Sequence, residues 1–155
     1  ASIFNLTMIV TGLLIVGAAV LLWRCQLRRF LTISIAMNGI GVLGVGVFPG
    51  NVGAIHPWFA ALAFLGGGLC GVAGFRSTHG ALRWMSGLLG VVTLTALFYV
   101  FFAGTDAPVT STLGDGGAER WIAYPVVLWL AMFGGALMGG AAVTSRSAPQ
   151  PPLAP

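Results

Sequence analysis

Histidine and carboxylate side chains are scarce in this sequence, and those that could do acid–base or metal chemistry come from two short segments. The chain carries three acidic residues, two histidines and seven arginines. His56 directly precedes Pro57 and a long apolar run, and Asp115 and Glu119 precede another. An imidazole beside a carboxylate can move a proton or bind a divalent metal. A shared site of His56 with Glu119 or Asp115 is therefore one functional hypothesis.

The same segments also have a purely structural interpretation. Pro57 fits the first position of a helix, and a carboxylate such as Glu119 is favoured at a helix N-terminus. The sequence contains no HExxH or paired-histidine spacing, no GxSxG and no P-loop, so no catalytic residue, cofactor or metal is assigned. Helix capping thus competes with a ligand or lipid-headgroup site. The candidate ligand-binding residues on this side are Asn5, His56, Glu119 and Arg120.

Polar side chains inside the long apolar runs are rare. Asn38, Thr93 and Thr95 are the main ones. A buried amide in hydrocarbon needs a partner, and a hydrogen bond between membrane helices contributes ~0.6–2 kcal/mol. We therefore expect Asn38 either to join two helices or to line a ligand cavity. No run contains an ionisable side chain at its centre, which argues against a proton pump or an ion channel.

The elements that must position these residues are membrane-spanning helices. Hydrophobic residues make up 57% of the chain and charged residues 6%, against about a quarter charged in soluble domains. A helix of roughly 20 apolar residues crosses ~30 Å of hydrocarbon, and the alternation typical of β-barrels is missing. We predict an all-α integral membrane bundle, one domain over residues 1–144, with five transmembrane helices at 3–23, 30–48, 57–75, 84–103 and 121–143. A flexible Pro/Ala-rich tail is expected over residues 145–155.

The arginines predict the orientation of the bundle. Six of the seven fall on one side of it, whereas the other side holds Arg120 and all three acidic residues. Because cationic loops stay cytoplasmic, the N-terminus is expected outside and the C-terminus in the cytoplasm. The arginines beside the spans are expected to hold lipid headgroups rather than nucleic acid. They are Arg24, Arg28, Arg29, Arg76 and Arg83.

Small residues recur at a spacing of four in two of the predicted helices. One row is Ala63, Gly67 and Gly71, and the other is Ala131, Gly135 and Gly139. Such rows let helix backbones approach closely in lipid. We expect both to be contact faces, with each other, with a neighbouring helix, or with other membrane protein subunits.

Several short strings, taken in order, resemble one protein family. They are Ile3-Phe4-Asn5 with Gly12, then Gly46-Val47-Phe48-Pro49-Gly50-Asn51 with His56, Ala60 and Phe64, then Gly117-Ala118-Glu119-Arg120 with Tyr124-Pro125 and Trp129. Over about residues 4–140 the chain resembles a prokaryotic family of multi-pass membrane proteins known as domain of unknown function 998. The resemblance implies a helical bundle in a prokaryotic cytoplasmic membrane and no established activity. It also implies a helix before the Phe-Asn string, so a preceding helix or signal segment is expected ahead of this chain.

Three functions follow in order of preference. The first is a non-enzymatic structural or accessory subunit of a larger membrane complex, favoured by the small-residue faces and the lack of a catalytic set. The second is a binder or carrier of a lipid or small apolar ligand, which would be indicated by Asn38, Thr93 and Thr95 converging on one cavity. The third is a membrane enzyme acting at the outer leaflet through His56 and Glu119.

Overall fold

The computed structural model describes residues 2–52, 54–104 and 107–140. This part of the chain contains six α-helices and one 3-10 turn. All of these helices except the fifth are long and apolar enough to cross a membrane. The predicted all-α membrane bundle with five transmembrane helices is therefore confirmed. The helices are α1 (Ser2–Arg24), α2 (Arg29–Val47), α3 (His56–Ser77), α4 (Gly80–Ala103), α5 (Pro108–Leu113) and α6 (Asp115–Met138), and the 3-10 turn is Gly50–Val52.

The last membrane helix differs from the prediction at both ends. α6 begins at Asp115 rather than Trp121, and it ends at Met138, followed by a turn at residues 139–140. Residues 141–143 of the predicted helix and the predicted tail lie outside the described residues. The short helix α5, which starts at Pro108, is not among the predicted elements. The presence of α5 and the earlier start of α6 both place helix in the polar, glycine-rich segment at 104–120, which was predicted to lie between two membrane helices.

A tight turn closes the α1–α2 pair. Gln26 has φ 57°, the left-handed conformation that often follows the end of a helix. The N–H of Gln26 donates to the carbonyl of Trp23 at 3.1 Å, and the N–H of Leu27 donates to that of Leu22 at 3.1 Å. These two bonds form a Schellman motif. The chain reverses within a few residues, so α2 returns directly along α1.

Successive long helices run antiparallel, and glycines bring their backbones together. α1 packs on α2, α2 on α3 and α3 on α4, and α6 returns to pack on α4 and α3. A Cβ added to Gly41 of α2 would overlap the backbone of Ala63 on α3. One added to Gly71 of α3 would lie 2.5 Å from the backbone N of Gly90 on α4, closer than real Cβ atoms come. The α2–α3 and α3–α4 contacts therefore require glycine.

The two predicted small-residue rows have different outcomes. The α3 row is a contact face, because Ala63 and Gly71 meet α2 and α4, and a Cβ on Gly67 would lie 2.5 Å from Val126 of α6. The α6 row faces away from the bundle. Ala131 is exposed, and no described atom lies within 4 Å of a Cβ added to Gly135. Among residues 2–52, 54–104 and 107–140, the expected contact of this second row with another helix is therefore wrong.

The reason is that α6 turns a different face inward. Trp129 and Phe133, one helical turn apart, stack with ring centroids 4.8 Å apart and are 1% and 3% exposed. The indole N–H of Trp129 donates to Ser86 Oγ at 3.0 Å, and Ser86 Oγ donates to the carbonyl of Leu82 at 2.7 Å. A Cβ on Gly74 of α3 would come within 3.0 Å of both partners. α3, α4 and α6 therefore meet at one buried polar contact.

Candidate functional site

His56 closes the connection between α2 and α3. Its Nδ1 lies 2.8 Å from the carbonyl oxygen of Phe48, just after α2. Because a carbonyl only accepts, Nδ1 is the donor and carries a proton. The ring of Phe48 also stacks on Phe59 of α3, with centroids 5.3 Å apart and planes 2° apart. His56 therefore has a structural bond that fixes the start of α3.

Glu119 and Arg120 take no part in that hydrogen bond. Both are exposed on α6, and neither side chain has a hydrogen bond or ion pair with another described residue. Because α6 begins at Asp115, Glu119 stands in the second turn rather than before the helix, and helix-dipole stabilisation weakens beyond the first turn. Within residues 2–52, 54–104 and 107–140, no hydrogen bond joins His56 to Glu119. Their shared site stays a prediction.

No metal site is formed by the described residues either. They contain no group of three or more histidine, cysteine, aspartate or glutamate side chains positioned to hold an ion. Asp106, one of the three acidic residues predicted on the same side of the bundle as His56, lies outside the described residues. Asn5 is half-buried at the start of α1, and its carbonyl would be 2.8 Å from a Cβ on Gly46 of α2. Asn5 thus packs its backbone against the end of α2, and its role in ligand binding also stays a prediction.

Asn38 joins two membrane helices. Its Nδ2 donates to the carbonyl of Ala63 on α3 at 2.8 Å, and Gly66 leaves room, since a Cβ there would be 2.5 Å from the backbone N of Asn38. Asn38 Oδ1 is buried with no hydrogen-bond partner among the described residues. Thr93 is buried, whereas Thr95 is exposed and lines a groove that neither Asn38 nor Thr93 reaches. The three polar residues therefore do not converge on one cavity.

Thr95 lines a groove with a volume of about 750 Å³. We call it the α4–α6 groove, because α4 forms one wall, the start of α6 the other, and α5 covers one end. Along α4 it extends from Val91 to Val100, and α6 contributes Ala118 and Trp121. No charged residue lines it among those described. Such a surface suits an apolar ligand.

One polar group in this groove is buried and unpaired. Thr110 of α5 lines the groove and is 2% exposed, yet its Oγ1 has no hydrogen-bond partner among the described residues. The neighbouring hydroxyls are satisfied, since Ser111 Oγ and Thr112 Oγ1 donate to the carbonyl of Pro108 at 3.1 and 2.7 Å. An unpaired buried hydroxyl costs about 1–3 kcal/mol. Thr110 is therefore the polar group of the groove most in need of a partner.

A second, smaller groove adjoins the first. It has a volume of about 430 Å³ and shares the side chains of Leu113 and Trp121 with the α4–α6 groove. Arg120 and Pro125 of α6 both line it. Proline lacks the N–H that would bond the Trp121 carbonyl inside the helix. This groove therefore combines one cation with an apolar surface.

The arginines form the opposite end of the bundle. The described ones there are exposed and lie in or within a turn of the α1–α2 and α3–α4 connections. Two rest against aromatic rings: the Arg83 guanidinium lies 4.4 Å from the Phe75 ring centroid, and that of Arg29 lies 5.6 Å from the Trp23 centroid. Such contacts hold a cation at the depth of an interfacial aromatic ring. Headgroup binding by Arg24, Arg28, Arg29, Arg76 and Arg83 stays a prediction.

The architecture and its grooves define a multi-pass helical membrane protein with an apolar surface cleft. The family comparison agrees: the model of the family described as protein of unknown function (DUF998) matches residues 1–136, and the chain belongs to that family. No curated protein and no solved structure matches the chain. The resemblance noted in the sequence is therefore confirmed, and it brings no activity with it.

Apart from Thr95, the groove residues escaped the sequence analysis because they belong to two different kinds of segment. Tyr99 and Val91 read as ordinary lipid-facing positions of a membrane helix, and Thr110 read as part of a loop. One signal was available: Pro108 followed by five residues without glycine is compatible with a short helix that starts on proline. Only the pairing of that helix with α4 and α6 makes a groove.

Proposed function

We propose that this protein binds a lipid or another small apolar molecule in the α4–α6 groove. The observation that carries the proposal is the groove itself, which has a volume of about 750 Å³ and is lined by apolar groups with a few hydroxyls. Pockets of roughly 300–1,000 Å³ are the size that holds small ligands. The convergence of Asn38, Thr93 and Thr95, which would have indicated such a binder from the sequence, is not found, and the proposal rests on a different surface.

The depth of the groove supports a ligand drawn from the bilayer. From Val91 to Val100 the wall extends about 14 Å along α4, at 1.5 Å per residue. This is close to half of the ~30 Å hydrocarbon core, the depth of one leaflet. Tyr99 and Trp121 flank its end near α5, and such rings prefer the membrane–water interface. A ligand lying along α4 would thus be parallel to the lipid chains around it.

The test fills the groove with a larger side chain. Thr95→Trp puts an indole into the α4–α6 groove from an exposed position, and Leu88→Trp is the matched control, because Leu88 is exposed on the same helix but does not line the groove. Binding of a fluorescent acyl lipid to protein in nanodiscs should weaken at least about tenfold in the first variant. The control should bind as the natural chain does. Equal binding by both variants would refute the proposal.

The second candidate is a non-enzymatic accessory subunit in a prokaryotic cytoplasmic membrane, with the arginine end in the cytoplasm. The open row on α6 supports it, because close helix packing favours small residues and no described atom meets a Cβ at Gly134 or Gly135. Gly135→Trp should then remove partner proteins that co-purify with the natural chain. Loss of a partner on Gly135→Trp, with no loss of lipid binding, would favour this candidate.

A further inference from the structure

The unpaired hydroxyl of Thr110 restricts the chemistry of a ligand in the α4–α6 groove. A hydrocarbon chain offers no acceptor, so a purely apolar ligand would leave Thr110 Oγ1 unsatisfied. A hydroxyl can donate one hydrogen bond, and a carbonyl oxygen can accept it. An uncharged carbonyl on the ligand meets that need without placing a charge in an apolar groove.

The position of Thr110 identifies which carbonyl this is. Thr110 belongs to α5, at the end of the groove flanked by Tyr99 and Trp121. Aromatic rings at such ends mark the headgroup level of the bilayer. The chain-linking ester carbonyls of a glycerolipid lie at the same level, between the headgroup and the hydrocarbon. An acyl chain that follows α4 toward Val91 would therefore leave its ester beside α5.

A free fatty acid fits the groove less well. Its carboxylate would need a cation or several donors once removed from water. The described lining contains no charged residue, and Arg120 belongs to the adjoining groove rather than to this one. The ester has the acceptor without the charge.

We propose that the α4–α6 groove selects an ester-linked membrane lipid whose acyl chain lies along α4. The buried Thr110 hydroxyl turns toward the groove when this lipid binds and donates a hydrogen bond to its ester carbonyl. This inference rests on the proposed lipid-binding function, and it adds that the ester carbonyl is the chemical group that the groove recognises. It makes Thr110 a specificity-determining residue.

The experiment compares two lipids that differ only in that carbonyl. Nanodisc-embedded protein binds a fluorescent acyl lipid, which is then displaced by a diacyl phosphatidylcholine or by its dialkyl ether analogue of equal chain length. The natural chain should prefer the ester by about three- to tenfold, the range of one net hydrogen bond. Thr110→Val should abolish the preference by weakening ester binding alone. Thr110→Ser should keep it, because the hydroxyl remains.

Thr112→Val is the matched control. Thr112 also lines the groove, but its hydroxyl already donates to the carbonyl of Pro108, so the ester preference should survive this change. Equal displacement by ester and ether lipids would overturn the inference and leave the lipid-binding function intact. No binding of the fluorescent lipid at all would overturn the proposed function itself. If Thr110→Val still preferred the ester over the ether lipid, Thr110 would not be the donor to the ester carbonyl, and the inference would be overturned.

Discussion

Replacing Gly71 with alanine tests whether glycine is what allows α3 and α4 to pack. An alanine Cβ at this position would lie 2.5 Å from the backbone N of Gly90 and 2.7 Å from the carbonyl oxygen of Ser86. Neither obstacle can rotate away, because both belong to the backbone of α4. Ordinary carbon contacts lie at about 3.5–4.0 Å. The two helices would therefore have to separate by about 1 Å.

The cost follows from the chemistry of overpacking. Forcing an additional carbon into a close-packed contact typically costs about 1–3 kcal/mol. Alanine also gains about 0.5–1 kcal/mol over glycine in a helix interior, which partly offsets that loss. Gly135→Ala separates the overpacking cost from the helix-propensity gain. It has the same propensity gain, and it has no overpacking cost because no described atom lies within 4 Å of its new Cβ. The difference in stability between the two variants should be about 1–3 kcal/mol.

The assay is the free energy of unfolding in mixed micelles, followed by tryptophan fluorescence during a denaturing-detergent titration. A third variant, Gly67→Ala, should fall between the other two, because its obstacle is the side chain of Val126, which can change rotamer. The expected order of stability is Gly135→Ala, then Gly67→Ala, then Gly71→Ala. If Gly71→Ala were as stable as Gly135→Ala, the close backbone approach of α3 and α4 would be refuted.

Three further outcomes are expected. Ser86→Ala should lower unfolding stability by about 1–3 kcal/mol, measured in the same titration, because it leaves the buried Trp129 N–H without its acceptor; a neutral result would contradict that contact. Asn38→Leu should cost about 0.6–2 kcal/mol through its lost interhelical bond; an unchanged unfolding midpoint would contradict a net contribution from that bond. For orientation, an impermeant maleimide applied to intact cells should leave exposed Cys25 unlabelled and should label Ser111→Cys; the opposite pattern would invert the predicted topology.

The membrane helices were predictable from composition and segment length, because in lipid a helix needs only apolar length to form. The pairing of Asn38 was predictable as an interhelical bond for a similar reason, since an amide in hydrocarbon must find a partner. Which small-residue row would face inward was not predictable. Gly71 and Gly135 have the same local pattern, and what separates them is the inward turn of Trp129. That rotation is set by a tertiary contact with Ser86, which no local pattern encodes.

The α4–α6 groove was not among the predicted sites for the same reason. His56 and Glu119 attract interest because ionisable side chains are rare here, but the His56 Nδ1 bond to Phe48 accounts for His56 without a ligand. Thr110 carries no such signal in the sequence. A threonine in a polar segment becomes notable only when a short helix buries it with its hydroxyl unpaired.

Packing differs along α4, and this difference accounts for where a ligand could enter. Near its start, α4 is fixed by the Trp129–Ser86 bond and by the backbone contact of Gly90 with Gly71. Toward its end no such contact joins α4 to α6 among the described residues, and α5 lies between them to leave the α4–α6 groove. Because glycine-packed helices cannot separate without losing many contacts at once, a ligand would enter between α4 and α6 at the end near α5 and pack against α5. Lipid binding should therefore protect backbone amides of α5 from hydrogen exchange and leave those of α3 unchanged. Protection spread evenly over both helices would contradict a ligand confined to this groove.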